Sequence, residues 1–233
     1  MTEPLAVVLI PGLLASARLY AQQIPALWRS GAVTVADHTR DDSMAAIARR
    51  ILAGAPARFA LVGLSMGGYI AFEILRQAPE RVVKLALLDT SARADTPEQS
   101  AARREQMALA SNGRFEEVVE AQFVRAVHAT RRADAELRAL NRLMAEDVGS
   151  AAFLRQQTAT MERSDSRPTL GSIRAPTLVL VGEGDELTPP ARAAEIAQGI
   201  AAAHLVNVPL CGHLSTLERP REVTTALLAW LQA

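Results

Sequence analysis

The sequence predicts an open α/β fold: a mostly parallel sheet of about six strands flanked by helices, with a small helical cap inserted after the fourth strand. Three observations lead there. Short, near-continuously apolar runs rich in Val and Leu recur along the chain, as expected of strands buried on both faces of a parallel sheet. Longer helix-like segments alternate with them. Between Thr96 and about Arg167 the alternation stops, and charged, alanine-rich helical sequence replaces it.

The elements follow in order. LAVVLI (5–10) is the first strand, ended by Pro11-Gly12, and a helix is predicted near 17–30. VTVAD (33–37) and a helix at 43–54 come next, then FALVGL (59–64) running into a helix at 66–78. VVKLALLD (82–89) is the fourth strand, after which PEQSAARREQMALAS opens the helical insertion. Pro, Ser and Gly cluster in RSDSRPTLGSIRAP (163–176), where the strands resume. PTLVLVG (176–182), a helix at 190–200, HLVNVP (204–209) and a helix at 220–232 complete the chain. On this division residues 1–90 and 168–233 form the core, and 91–167 form the cap.

Composition bounds the function. The 233 residues, 49% hydrophobic, suffice for one sizeable core with a small appendage. Lys+Arg and Asp+Glu both number 25, so no basic excess points to nucleic acid or a membrane surface. A small, roughly neutral substrate suits this balance better than a polyanion. Cys211 is the sole cysteine, which excludes an intrachain disulfide framework and a cysteine-built zinc site. The start, MTEPLAVVLIPGLLAS, lacks a positive leader region and reads as a strand, not a signal peptide. No apolar stretch approaches the roughly 18 residues that span a bilayer. The expectation is a soluble, cytoplasmic protein.

Gly63-Leu64-Ser65-Met66-Gly67 sits between the third strand and its helix, with Gly68 as a third small residue. A serine on a strained strand-to-helix turn needs small neighbours, because larger ones would collide with the adjoining strand and helix. The helix N-terminus beyond adds partial positive charge beside the hydroxyl. A serine nucleophile also needs a base. Of four histidines, His204 opens the last strand, at the wrong end of the sheet. His128 lies in the insertion, and His38 follows the second strand off to one side. His213 lies just past the last strand, where loops at the carboxyl ends of strands share a crevice. It is the predicted base. The acid that would orient it comes from GEGDELTPP, which offers Glu183, Asp185 and Glu186. Asp185 is favoured, and Asp89 at the end of the fourth strand is the rival. The N–H groups of Met66 and Leu13 are the candidate oxyanion donors.

GLSMGG, GEGDELTPP and CGHLSTLERP, in that order, resemble the serine, acid and histidine segments of the α/β-hydrolase superfamily. They are especially similar to its small bacterial esterases and lactonases, including relatives of 3-oxoadipate enol-lactonase. The resemblance implies Ser65 as nucleophile, Asp185 as acid, His213 as base, and Leu13 and Met66 as the oxyanion hole. It also implies that the chain begins at the superfamily's third strand. Two departures stand out: Pro11-Gly12 where many relatives have His-Gly, and ADHTRDDSM (36–44) where they carry a glycine-containing segment.

The expectation is a cofactor-free, metal-free serine hydrolase acting on a small carboxylic ester or lactone. A C–C-bond hydrolase or cofactor-free haloperoxidase on the same fold is the alternative, and a non-catalytic ligand sensor is a third. Met107, Phe115, Phe123, Met144, Phe153 and Met161 are predicted to pack the cap, several of them roofing the pocket with apolar surface. Trp28 and Tyr69 are predicted in or near the core, and Cys211 as an inert packing residue.

Overall fold

A computed structural model describes residues 5–233. The opening residues 1–4, part of the stretch read as strand and not leader, lie outside them. Six parallel strands form one sheet: β1 (Val7–Ile10), β2 (Val33–Val35), β3 (Phe59–Leu64), β4 (Val82–Leu88), β5 (Thr177–Gly182) and β6 (Ala203–Val208). Their order is β2-β1-β3-β4-β5-β6. The apolar runs locate these strands because β1, β3 and β5 are buried along their whole length.

Side chains alternate across the sheet into two cores. Val8, Ile10, Leu61, Leu85, Leu87, Val179 and Val181 pack on one face. They meet α2 (Met44–Gly54), α3 (Met66–Gln77) and α8 (Pro190–Gly199) there. Val7, Leu9, Val62, Ala86, Leu88 and Leu180 pack on the other, beneath α10 (Pro220–Gln232). Each fully buried aliphatic side chain contributes about 1.5–3 kcal/mol.

The helix predicted at 17–30 is broken. A 3₁₀ turn at Ala17–Tyr20 and the single-turn α1 (Ile24–Leu27) stand in its place. Leu19, Tyr20 and Leu27 face the core. Trp28, predicted near the core, is 74% exposed because α1 ends just before it.

Between β4 and β5 the chain leaves the sheet for α4 (Pro97–Ser111), α5 (Phe115–Ala126), α6 (Ala135–Val148) and α7 (Ser150–Met161). Thr96 starts α4 with a reciprocal capping pair to Gln99 and Pro97 in the first turn. Phe153, Val118, Val119, Ala110 and Ala145 give these helices their own apolar cluster, closed by Leu14 from the loop after β1. No helix among the described residues is long and apolar enough to cross a membrane.

Candidate active site

Parallel register brings the chemistry together. Ile10 pairs with Gly63, Leu64 with Leu88, and Leu88 with Leu180, so the loops after β1, β3, β4 and β5 leave the same edge. Ser65 follows β3 directly with φ 54° and ψ −115°. A non-glycine residue there costs about 1–3 kcal/mol. The turn is held by Ser65 N–H donating to Leu88 O at 2.9 Å and by the Thr90 hydroxyl donating to Ser65 O at 2.7 Å. The flanking glycines are required by space. A Cβ on Gly63 would lie 2.3 Å from Gly67 O, and one on Gly67 would lie 2.1 Å from Ile10 O.

The structure places Ser65, His213 and Asp185 in one line. Ser65 Oγ is 2.8 Å from His213 Nε2, and His213 Nδ1 is 2.8 Å from Asp185 Oδ2. Asp185 Oδ1 accepts the N–H groups of Leu187 and Thr188 at 2.8 and 2.9 Å, while the Thr188 hydroxyl donates to Oδ2 at 2.7 Å. Every lone pair of that carboxylate is thereby directed. Burial works against charge on both partners; the mutual attraction outweighs it. The Asp185 carboxyl lies below its ordinary range and the His213 imidazole above its own.

Asp89, the rival acid, has no hydrogen bond to His213. Its Oδ1 accepts Gly182 N–H at 3.0 Å and its Oδ2 accepts the Ser215 hydroxyl, which joins the ends of β4 and β5 to α9 (Ser215–Glu218), just past His213. Complete burial, with the Asp185 charge nearby, pushes its pKa up to about 8. Glu186 turns away to pair with Arg132 at 2.7 Å. His204 begins β6 at the opposite end, and His128 bonds the Thr130 hydroxyl. Cys211 is fully buried, and burial raises its thiol pKa, so it packs as a neutral group.

The main-chain N–H groups of Leu13 and Met66 meet no acceptor among the described residues. The loop carrying Leu13 is braced from two sides. His38, 2% exposed, has Nε2 2.9 Å from Gly12 O, a contact in which that nitrogen carries the proton. Burial keeps the ring neutral. Gln156 on α7, fully buried, accepts Leu14 N–H on Oε1 at 3.2 Å where Leu14 sits at φ 59°. Its amide nitrogen packs 3.1 Å from the same His38 nitrogen. Sequence reading missed Gln156 because 142 residues separate it from Leu14 and nothing local marks it. It also missed Glu218, whose buried carboxylate accepts Gly212 N–H at 3.0 Å and His128 N–H at 2.8 Å. His213 N–H itself donates to Ala126 O at the end of α5, at 2.7 Å.

Two spaces open onto Ser65. A void of about 30 Å³ lies between Leu13, Ser65, Met144 and His213, room for a water or two. A cavity of about 470 Å³ extends from Ser65, Met66 and His213 under α4 and α5. The residues predicted to roof it mostly do not reach it. Of the six cap residues named for that task, only Met144 borders either space. Phe123 and Met144 are buried in the core on the α10 side of the sheet, Phe153 is buried in the cap's own cluster, and Phe115 packs on Phe153 with ring centroids 5.6 Å apart. Glu98, Gln99, Ala102, Arg103 and Gln106 present the cavity face of α4 instead. Gln122 lines both spaces, and its side-chain oxygen has no protein partner. Tyr69, near the core as predicted, forms part of the wall beneath Arg163. No cluster of three or more metal-ligating side chains occurs among the described residues.

A serine held on a forced turn at the carboxyl edge of an open parallel sheet, within reach of an imidazole from beyond the last strand, defines the class of α/β hydrolases. The chain belongs to that family: the model for the alpha/beta hydrolase fold matches residues 6–220. A Mycobacterium tuberculosis protein named as a non-heme bromoperoxidase is 30% identical over 178 residues, 75% of this chain and 67% of that one. A pimeloyl-[acyl-carrier protein] methyl ester esterase of Nitrosomonas europaea is 28% identical over 175 residues, covering 72% and 69%. Among solved structures, a thermophilic esterase from Thermogutta terrifontis with malate bound superposes with TM-score 0.89 at 28% identity, covering 98% of this chain and 89% of that one. The enol-lactonase of Burkholderia xenovorans shares the fold with TM-score 0.88 at 24% identity, covering 99% and 92%.

Proposed function

We propose that the protein is a serine hydrolase of small carboxylic esters or lactones, with Ser65 as nucleophile, His213 as general base and Asp185 as the acid that orients it. One observation carries this reading: the 2.8 Å contacts that join Ser65 Oγ to His213 Nε2 and His213 Nδ1 to Asp185 Oδ2. Esterases among the relatives favour the same chemistry. Residues 91–167 are proposed as the cap that shapes the substrate cavity, with 1–90 and 168–233 as the catalytic core.

In the proposed cycle Ser65 Oγ attacks the carbonyl carbon as His213 Nε2 takes its proton. Charge passes to the carbonyl oxygen, which the N–H groups of Leu13 and Met66 receive; each such donor is worth about 10²–10³ in rate. Asp185 holds the proton on Nδ1 and stabilises the imidazolium, without becoming protonated itself. His213 then gives the Nε2 proton to the departing alkoxide, leaving an acyl-serine. Water, deprotonated by the same nitrogen, attacks the acyl carbon, and the collapse returns the proton to Ser65 and releases the acid. The chain and water supply every group in this cycle.

A second reading, cofactor-free haloperoxidase chemistry, is favoured by the bromoperoxidase among the relatives; C–C-bond hydrolysis would use the same triad. Short p-nitrophenyl acyl esters and a phosphonate that labels Ser65 test the choice. Ester turnover that falls about 10⁴–10⁶-fold in Ser65→Ala with folding intact supports the esterase reading. Negligible ester turnover by a protein whose Ser65 is readily labelled refutes it in favour of the second.

A further inference from the structure

The two spaces at Ser65 meet along a shared wall of Leu13, Ser65, Gln122 and His213. Gln122 lies on α5, and its buried amide oxygen has no hydrogen-bond partner among the described residues. Folded proteins rarely leave a buried acceptor unpaired, so such an oxygen marks a place where a donor binds. The position of Gln122 is tied to the base. Ala126, one turn further along α5, accepts His213 N–H at 2.7 Å and also lines the smaller space. Residues four apart share a helix face, so the contact that seats the imidazole also carries Gln122.

The smaller space suits water and little else. At about 30 Å³ it admits no carbon chain, which must take the cavity of about 470 Å³. Polar side chains enter its lining from three directions: Ser65 and His213 from the sheet edge, Gln122 from α5 and Asn141 from α6. Such convergence is what an ordered water requires, about two to four polar partners. An attacking water carries two protons, and the base takes only one. The other needs an acceptor. The oxyanion donors cannot serve, because Leu13 and Met66 offer N–H groups; an amide oxygen can.

We propose that Gln122 is a catalytic residue of the second half-reaction: its amide oxygen holds the water that cleaves the acyl-serine, and so selects water over alcohols as acyl acceptor. This deepens the serine-hydrolase reading and rests on it. The water's oxygen bonds to the acyl carbon while one of its protons passes to His213 Nε2. The other proton stays on that oxygen, donated to Gln122 Oε1. Collapse breaks the bond from the acyl carbon to Ser65 Oγ, returns the Nε2 proton to Oγ and frees the acid. An alcohol has a single O–H, which the base consumes, and it has no second proton for the amide. Its alkyl group would also have to enter the small space.

The test follows the acyl-enzyme formed from p-nitrophenyl acetate in a fixed concentration of methanol, with the uncatalysed reaction subtracted. The ratio of methyl acetate to acetate reports only the choice of acceptor, whichever half-reaction limits turnover, and it cancels general damage to the fold. In Gln122→Leu and Gln122→Met that ratio is expected to rise about tenfold, the contribution of one hydrogen bond to the attacking water. Gln122→Glu keeps an acceptor of the same reach and holds the ratio near its native value. A ratio unchanged in the Leu and Met variants, or a rise as large in the Glu variant, overturns the proposal. Should the Leu and Met variants make too little product to count, the mass of the intact protein decides. An acetyl group trapped on Ser65 supports the role in water attack, and a folded variant without the adduct overturns it. A native protein that never acylates removes the hydrolase reading itself, and this proposal with it.

Discussion

Asp185→Asn tests the proposed relay at its least redundant point. Two main-chain N–H groups, from Leu187 and Thr188, point at Oδ1. An asparagine keeps its carbonyl oxygen there and must place its NH₂ where Oδ2 was. That group then donates to His213 Nδ1, formerly 2.8 Å from the carboxylate oxygen. The imidazole is forced to carry its proton on Nε2, facing Ser65 Oγ, and can no longer accept the hydroxyl proton. Loss of tautomer control of this kind costs about 10⁴ in kcat, close to 5.5 kcal/mol in the barrier. Asp89→Asn is the matched control. Its oxygen keeps Gly182 N–H, its NH₂ can donate to Ser215, and it never touches His213. Burst and steady-state hydrolysis of a p-nitrophenyl ester, with melting curves for both variants, measure the contrast. An active Asp185→Asn beside a crippled, well-folded Asp89→Asn would refute the assignment of the acid.

Two further outcomes are expected. Gln156→Leu leaves Leu14 N–H buried without its acceptor, a loss of about 1–3 kcal/mol. With Leu14 at φ 59° the loop then relaxes, so kcat for a short ester falls about 10–10³-fold while KM moves little; a lower melting temperature with unchanged kcat would show a purely structural bond. The pH profile follows from His213, whose pKa is raised above its usual value by Asp185 against the pull of burial. The base must be neutral to accept a proton, so kcat/KM rises with pH through a limb above about 6.5. A limb at or below 6.5 would contradict the coupling of the two residues.

The sheet and the serine turn were legible because their causes are local. A strand buried on both faces must be apolar at every position, and only glycine leaves room for Ile10 O and Gly67 O around Ser65. The placement of His213 and Asp185 beside Ser65 was legible because a parallel register sends successive loops to one edge. Cap orientation was not. Four short helices with little apolar surface bury their aromatic side chains against one another, as Phe115 and Phe153 do. That leaves polar residues to face both the solvent and the cavity, and periodicity alone cannot distinguish those two polar faces. Charge was obscured similarly. Equal totals of acidic and basic residues describe the whole chain, while five of its arginines gather around one cavity. Trp28 was misplaced because a single-turn helix was read as a long one.

The bond from His213 N–H to Ala126 O has a mechanical consequence, reinforced by Glu218 spanning Gly212 and His128. The far tip of α5 and the imidazole of His213 ride on one chassis. Any swing of that tip would drag the ring off Ser65. Transplanting the 91–167 segment from a relative would succeed only if residues 126–128 stayed behind as the hinge pin.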